Sequence, residues 1–238
     1  MHSEKLKFAF PLMKTQQLFT IITPCYNSAA HILECINSVR NQSYTNWELI
    51  LIDDGSTDNT IEIITGVSDS RVRLICAPHG GVSVARNIGL KHKTGDYCLF
   101  LDSDDTLEFF ALQKISDFIE EYPDVDVIQF GYRIKDRNFS VGQKQCLCAI
   151  DFFKQGELPS RTIWNNAYRS SLFDDIAFSP GIRVAEDTEV AICCYFAARN
   201  IGQLPDTLYN YRSDEKSVMN SAPDVEKVRD HIRVIGKL

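Results

Sequence analysis

Several features that would assign a chain to a known class are missing from this sequence. No apolar run approaches the roughly 18 residues of a membrane-spanning helix, and the opening residues, Met1 to Lys5, include no apolar signal core. Basic residues are also in deficit, because 25 Lys and Arg face 32 Asp and Glu, a net charge of −7. A nucleic-acid binder needs a basic face, so we expect no nucleic-acid partner, and any membrane contact should be peripheral.

Paired cysteine motifs are absent as well. The chain has eight cysteines but no Cys-x-x-Cys, and neither Cys146 with Cys148 nor Cys193 with Cys194 has the usual zinc-ligand spacing. Several cysteines fall within apolar runs, which predicts reduced thiols in the core of a cytoplasmic protein. A hydrophobic fraction of 44% over 238 residues suits one large domain or a domain with an appendage.

What the sequence does contain is an alternation of apolar runs and amphipathic stretches. Four predicted strands alternate with three predicted helices over residues 18–101. This order is typical of an α/β fold with a parallel sheet, which binds ligands beyond the carboxyl ends of its strands. The second half is less regular. Its predicted elements are a helix over 110–122, a strand over 125–130, a polar loop over 136–145, a helix from Glu186 and a short strand over 207–211.

Three carboxylates, Asp102, Asp104 and Asp105, follow the fourth predicted strand. Unit charges about 4 Å apart repel by about 1 kcal/mol in water and about 4 kcal/mol near a protein surface. A fold tolerates this repulsion if protons or a divalent cation neutralise it, and Mg²⁺ typically takes one or two carboxylates, water and substrate phosphates. The cluster therefore indicates either a metal-bound phosphate substrate or a solvated acidic turn that caps the next helix.

Polar residues also follow the first two predicted strands, over 23–27 and 53–58. Sheet geometry predicts that both stretches meet the acidic cluster at one rim. Asp54 adds repulsion beside Asp53 without improving a helix cap, so it suits the N–H of a pyrimidine base. Asp58 fits equally well as a helix N-cap.

Two predicted helix starts carry further candidates. The Gly-Gly pair at 80–81 suits a phosphate or a plain turn, and Arg86 and Asn87 follow one turn later. Glu186 and Asp187 open the later helix, where the macrodipole favours acids for structural reasons alone. The same dipole should lower the pKa of Asp187, which would weaken it as a general base.

Two motifs of the second half have both a functional and a structural interpretation. Arg212, in the Tyr-Asn-Tyr-Arg segment, can clamp a phosphate or form a surface ion pair. Trp164 and Asn165, with Tyr168 and Arg169 beyond them, can form a sugar platform or an aromatic core.

Taken together, these motifs resemble glycosyltransferase family 2, the inverting sugar transferases with the A-type glycosyltransferase fold. The resemblance rests on the order of TPCYN, DDGSTDNT, GGVSVARNIGL, GDYCLFLDSDDTL, Trp164 to Arg169, Glu186-Asp187 and YNYR. It implies an α/β fold with a mostly parallel twisted sheet flanked by helices. The implied segments are a leader 1–17, a nucleotide-binding half 18–105, an acceptor half 106–221 and a C-terminal helix 222–238.

The resemblance also implies roles for single residues. Asp187 matches the general base, with Glu186 as the less favoured neighbour. Asp104 matches the direct metal ligand, whereas Asp102 would act on the ribose or through a metal-bound water. The implied nucleotide-binding residues are Pro24, Tyr26, Asn27, Asp54, Arg86, Asp102, Arg212 and Ser217, and the implied acceptor-binding residues are Trp164 and Asn165.

The implied reaction is a single displacement with inversion. The expected donor is a nucleotide diphosphate sugar, commonly a UDP-sugar, and the expected cofactor is Mn²⁺ or Mg²⁺. The expected acceptor is a saccharide or lipid-linked saccharide of a bacterial surface polysaccharide or lipopolysaccharide, met in the cytoplasm or at the inner face of the membrane. Many relatives place a histidine metal ligand after the Tyr-Arg segment, but residues 213–216 contain none.

Three questions stay open at the level of sequence. Residues 102–106 also fit the Asp-x-Asp-x-Thr motif of haloacid dehalogenase-like phosphatases, although that motif normally sits on the first strand and here three strands precede it. A non-catalytic sugar-nucleotide binder is the other alternative. The apolar stripe of the predicted helix 222–238 would pack on the domain, form a homodimer or touch a membrane.

Overall fold

A computed structural model describes residues 16–157, 159–182 and 185–213. The strands are β1 (Phe19–Cys25), β2 (Trp47–Asp53), β3 (Val72–Cys76), β4 (Tyr97–Phe100), β5 (Thr106–Leu107), β6 (Val127–Ile134), β7 (Arg137–Phe139), β8 (Gln145–Cys148), β9 (Asn166–Arg169) and β10 (Asn200–Tyr211). The helices are α1 (Ile32–Arg40), α2 (Thr60–Thr65), α3 (Val82–His92), α4 (Ala111–Glu121), α5 (Ala149–Lys154) and α6 (Glu186–Ala197).

One mixed sheet runs through the described ranges in the order β3-β2-β1-β4-β9-β6-β10-β5, with β7 beside β6 and β8 beside β10. The pairings β1–β2, β2–β3 and β1–β4 are parallel, as predicted. Core residues cover both faces of β1, since Ile21 packs in one apolar cluster and Ile22 in the other. The carboxyl ends of β1, β2 and β4 therefore share one rim of the sheet.

Helix α3 lies unusually close to this sheet. A Cβ atom at Gly89 would lie 2.4 Å from Cγ2 of Ile22 on β1, so the close packing requires glycine at that position. This contact fixes the helix that carries Arg86 against the strand whose end carries Tyr26.

The C-terminal half corrects two predictions. The segment 136–145, predicted as a loop, contains β7 and the start of β8, and the strand predicted over 207–211 is the end of the longer β10. All three residues of β7 are exposed, so no apolar alternation marks it. Strand β10 has Gly202 and Gln203 between Ile201 and Leu204, and it pairs with β6 through two register shifts, so no period-2 pattern marks it.

The chain termini lie mostly outside the described residues. Two residues of the predicted leader contact the domain: the Tyr44 hydroxyl donates to the carbonyl of Gln17 (2.7 Å) and the Asn46 amide to that of Gln16 (3.0 Å). The rest of the leader, Ser217 and the predicted helix 222–238 are outside the described ranges. Among the helices that are described, none has both the length and the apolar character needed to cross a membrane.

The cysteine prediction is confirmed in part. Cys25, Cys35, Cys98 and Cys194 are buried in the core. The remaining four are partly or fully exposed, and they are Cys76, Cys146, Cys148 and Cys193.

Candidate active site

A cleft of about 300 Å³ opens at the rim where β1, β2 and β4 end. The predicted motifs from three separate strand ends meet here, as the sheet topology required. The lining residues are Pro24, Cys25, Tyr26, Asp54, Val82, Ala85, Arg86, Asp102 and Ser103.

Asp54 is buried at the base of this cleft, and its carboxylate holds the Gly-Gly pair. Its two oxygens accept the backbone N–H groups of Gly80 (2.7 Å) and Gly81 (2.9 Å). Nδ1 of His79 also lies 2.9 Å from the carboxylate and from the backbone carbonyl of Asp54. The N–H groups of the pair are therefore used internally, and the role of Asp54 toward a base stays a prediction.

Tyr26 supplies an aromatic face at the mouth of the cleft. Its side chain is 48% exposed, and its ring centroid lies 4.5 Å from that of His79, with the rings tilted by 32°. Asn27, in contrast, links two rim loops, because its Oδ1 accepts the N–H of Thr57 (2.8 Å) and its own N–H donates to Ser56 Oγ (2.9 Å). A flat base can stack on Tyr26, whereas Asn27 shapes the rim.

Asp105, to which no sequence motif assigned a role, lowers the negative charge of the acidic cluster because its own pKa is raised. It is buried, and burial followed by repulsion from Asp102 raises the pKa of Asp105 to about 8. Its oxygens accept the Tyr209 hydroxyl (2.6 Å) and the N–H of Arg212 (2.6 Å). The Tyr209 hydroxyl also accepts the N–H of Asp102 (3.2 Å), so β10 holds the acidic turn in place.

Arg212 makes the ion pair that was the alternative to a phosphate clamp. Its Nη2 contacts the carboxylate of Glu34 and its Nε donates to the carbonyl of Asp104 (2.9 Å). Asp104 itself lines a second cleft of about 320 Å³ on the other side of the acidic turn. Asp54 and Asp104 thus face neighbouring clefts rather than one.

Arg86 is the electrostatic centre of the site. It is 3% exposed, and its Nη2 donates to Asp102 (2.9 Å) while its Nη1 donates to Glu186 (3.1 Å) and Asp187 (2.5 Å). Burial disfavours its charge, but the carboxylates of Asp187, Asp102 and Glu186 outweigh this and raise the pKa of Arg86 above its ordinary value. One buried cation therefore forms ion pairs with three carboxylates, one from the turn after β4 and two from α6.

Burial reverses the expected effect of the helix dipole on Asp187. Desolvation raises the pKa of Asp187 above its ordinary value, and Arg86 opposes this only in part. For Glu186, burial and the neighbouring Asp187 raise the pKa to about 7. A carboxylate with a raised pKa is a stronger proton acceptor. The expected weakening of Asp187 as a general base by the helix dipole is therefore not observed.

Two local features hold this network in position. Ala185, immediately before α6, has φ of 69°, a left-handed conformation that is uncommon for a residue with a side chain. Asn87 exchanges two hydrogen bonds with the backbone of Phe178 (2.8 and 2.9 Å), whose ring lies 5.3 Å from the Arg86 guanidinium. Phe178 follows no recognisable motif, and nothing in the sequence singled it out.

Trp164 and Asn165 lie in the interior. Trp164 stacks on Tyr209 and Tyr211, with ring centroids at 4.7 and 5.5 Å. Asn165 is buried, and its Oδ1 accepts the hydroxyl of Ser160 at 2.6 Å. These contacts give both residues a structural role, and their part in acceptor binding stays a prediction.

The acidic turn fits a cation that is shared with a substrate. Asp102 and Asp104 offer carboxylate oxygens, the donors that Mg²⁺ and Mn²⁺ prefer. No group of three or more His, Cys, Asp or Glu side chains suited to a metal occurs within the described ranges. Two carboxylates completed by substrate phosphates and water match this donor set better than a cage made of protein alone.

Glu186 makes stability depend on pH in a direction that can be tested. Its pKa is higher in the folded protein (about 7) than the ordinary value of 4.5, so folding favours its protonated form. This contribution is fully present below about pH 4.5 and is lost as pH rises through about 7, by at most about 3 kcal/mol. Urea unfolding at pH 5 and pH 8 should therefore show a smaller difference for Glu186→Gln than for the wild type. Equal differences in the two proteins would contradict the raised pKa.

Comparison with known proteins shows what this architecture resembles. The family model "Glycosyl transferase family 2" matches residues 20–185. Glycosyltransferase GlyG of Streptococcus pneumoniae serotype 4 is 30% identical in an alignment that covers 93% of this chain and 79% of GlyG. The poly(ribitol-phosphate) beta-N-acetylglucosaminyltransferase TarS of Staphylococcus aureus is 32% identical over 86% of this chain and 37% of TarS.

Two solved structures share the fold. Residues 1–349 of S. aureus TarS in complex with UDP-GlcNAc superpose with a TM-score of 0.76 at 25% identity, covering 92% of this chain and 66% of that one. The mannosyltransferase PcManGT of Pyrobaculum calidifontis, in complex with GDP-Man and Mn²⁺, superposes with a TM-score of 0.67 at 17% identity, over 94% of this chain and 64% of that one. The present chain thus spans about two thirds of each of these solved chains.

Proposed function

Because the chain belongs to glycosyltransferase family 2, we propose that it transfers a sugar from a UDP-sugar to an acceptor hydroxyl, with inversion at the anomeric carbon. The observation that carries this proposal is the cleft at the sheet rim. Tyr26, Asp54 and Asp102 line it together, and Arg86 ties it to Asp187. The guanidinium of Arg86 thus connects the proposed nucleotide site with the buried carboxylate of Asp187.

The cleft suits a nucleotide in two respects. Tyr26 offers an exposed ring on which a base can stack, and Asp54 offers carboxylate lone pairs beyond those that bind Gly80 and Gly81. The TarS structure supports UDP as the nucleotide, since that relative was solved with UDP-GlcNAc.

Asp187 is the proposed general base. It takes the proton of the acceptor hydroxyl as the acceptor oxygen attacks the anomeric carbon opposite the departing diphosphate. The buried position raises its pKa, and Arg86, which lines the cleft, donates a hydrogen bond to its carboxylate. General base assistance of this kind typically contributes 10²–10⁴-fold in rate. Glu186, with a pKa near 7, is partly protonated at neutral pH and is the weaker candidate.

Asp104 and Asp102 are the proposed ligands of Mn²⁺ or Mg²⁺. When bound, such a cation offsets the negative charge that develops on the leaving diphosphate, an effect worth several kcal/mol. The Mn²⁺ complex of PcManGT shows that a protein of this fold binds a divalent metal. At 17% identity, that comparison supports the shared fold and not the same ligands. The chemistry of the two carboxylates is therefore the main support for the metal here.

The phosphatase alternative is wrong. Its motif belongs on the first strand of the domain, but here β1, β2 and β3 precede the β4 turn, and the chain belongs to a sugar-transferase family.

We further propose a surface glycan as the acceptor, because TarS is named for transfer to poly(ribitol-phosphate). Non-catalytic binding of a sugar nucleotide is an outcome that the following measurements can reveal.

Replacing Asp104 with Ala should abolish the metal-dependent part of UDP binding. Its carboxylate is the proposed direct ligand, so its removal leaves the cation without an anchor on the protein. Calorimetric titration with UDP, with and without Mn²⁺, measures this directly. The matched control is Asp117→Ala, an exposed carboxylate on α4 away from both clefts. The metal assignment fails if the wild type binds UDP equally well in excess chelator.

Measuring release of UDP from a UDP-sugar distinguishes a glycosyltransferase from a non-catalytic sugar-nucleotide binder. A wild-type protein that binds UDP with Mn²⁺ but releases no UDP from any UDP-sugar, with water or saccharide as acceptor, would be a binding protein. A panel of UDP-sugars tested for thermal stabilisation with Mn²⁺ identifies the donor first, since a ligand that binds only the folded state raises its melting temperature.

A further inference from the structure

The second cleft, beyond the acidic turn, has a composition that the proposed reaction does not explain. Its volume is about 320 Å³, and it contains three cationic side chains in a protein whose net charge is −7. The lining residues are Glu34, Asp104, Thr106, Arg133, Lys135, Asn210, Tyr211 and Arg212.

The carboxylates of this cleft already have partners or an assigned role. Glu34 pairs with Arg212. Asp104 is the proposed metal ligand. Arg133 donates to Asn138 (3.0 Å) and pairs with Glu108 (3.0 Å), which fixes its guanidinium at the edge of the cleft.

Among the described residues, Lys135 is the cation of this cleft that has no charged partner. Within the described ranges it makes no hydrogen bond or ion pair, and its side chain is exposed. It occupies the two-residue turn between β6 and β7, where Ile134 pairs with Arg137, and its φ is 52°. Turns of this kind favour Asn, Asp or Gly at a left-handed position, so turn formation alone does not account for a lysine there.

The lining of the cleft also includes an aromatic side chain. Tyr211 lines it and stacks on Trp164 at 5.5 Å. Asp104, another lining residue, belongs to the same four-residue turn as Asp102, which lines the proposed nucleotide cleft. A molecule in the second cleft would thus lie directly across the acidic turn from the donor.

We propose that this second cleft is the acceptor subsite and that it selects an acceptor carrying a phosphate group, with Lys135 and Arg133 binding the phosphate and Tyr211 contacting the sugar. This inference rests on the proposed glycosyl transfer and specifies its substrate class. Ammonium and guanidinium groups are strong donors to phosphate oxygens, whereas a neutral saccharide would leave the Lys135 charge unused.

The test measures binding, so it does not require turnover. Protein saturated with UDP and Mn²⁺, which blocks the nucleotide cleft, is titrated with a hexosamine 1-phosphate and, separately, with the methyl glycoside of the same hexosamine. We expect the wild type to bind the sugar phosphate at least tenfold more tightly. Lys135→Asn keeps a residue that favours the left-handed turn but removes the charge, so it should lose about tenfold for the phosphate and nothing for the glycoside.

Two further variants test whether the effect is specific to the cations of this cleft. Arg133→Gln should weaken sugar-phosphate binding in the same direction, and Lys91→Gln, an exposed cation on α3 outside the cleft, should not change it. Equal wild-type affinities for the two probes would overturn the proposal. So would a loss of UDP affinity in Lys135→Asn, since the cleft would then hold the diphosphate of the donor. Failure of the proposed transfer reaction would appear separately, as absent turnover with sugar-phosphate binding intact.

Discussion

Asp187→Asn should lower the rate of sugar transfer by about 10²–10⁴-fold and leave UDP binding nearly unchanged. The substitution removes the proposed proton acceptor but keeps an oxygen that can accept the hydrogen bond from Arg86. The substitution leaves Tyr26 and Asp54, which line the proposed nucleotide cleft, unchanged. The measurement is steady-state release of UDP in the presence of an acceptor, together with calorimetric titration of UDP.

The pH dependence adds a second measurement on the same variant. The wild-type rate should rise with pH as Asp187 loses its proton, and burial shifts this rise above the range of an ordinary aspartate. The residual rate of Asp187→Asn should lack that rise. Asp151→Asn, at an exposed first-turn position of α5, is the matched control for the chemical change. Full activity in Asp187→Asn would remove the base role.

Arg86→Met should destabilise the protein by about 3–5 kcal/mol, the usual cost of removing one partner from a buried ion pair. The substitution keeps much of the apolar stem but leaves Asp102, Glu186 and Asp187 without their shared cation. Urea unfolding at pH 7.5 gives the free energy directly. At pH 5.5 the loss should be smaller, because Glu186 and Asp187, whose pKa values burial already raises, can take up protons once the guanidinium is gone.

Two comparison variants define what the Arg86 result means. Arg73→Met removes an exposed cation that pairs with Glu48 at 3.3 Å, and such surface pairs contribute at most about 1 kcal/mol. Arg86→Lys keeps the charge but not the fork that reaches both the β4 turn and α6, so its loss should be intermediate. A loss for Arg86→Met no larger than that for Arg73→Met would show that the network contributes little to stability.

The sequence predicts the N-terminal half of the fold well for a physical reason. Strands β1, β2 and β4 are covered on both faces, so each is a mostly apolar run that local inspection of the sequence detects. Strands β7 and the first part of β10 are not detected in this way. The residues of β7 are exposed, and the first part of β10 has Gly202 and Gln203 between two apolar residues, so both segments are strands because of pairing partners that tertiary structure supplies.

The same division applies to the site. Asp54 and Asp102 are identifiable because acids at strand ends must meet at one rim. The bond between Arg86 and Asp187 joins residues 101 positions apart, and no local pattern encodes it. The raised pKa of Asp105 is only partly visible in the sequence, because its largest cause is burial, although repulsion from the neighbouring Asp102 also contributes.

The shared guanidinium of Arg86 has a thermodynamic consequence for the order of events in a catalytic cycle. A ligand that draws Asp102 away from Arg86 leaves more of the positive field for Asp187 and so lowers the proton affinity of Asp187. Reciprocity then requires that proton loss from Asp187 favour that ligand by the same factor. Donor capture and readiness of the base would therefore be coupled through a single side chain, without any rearrangement of the backbone.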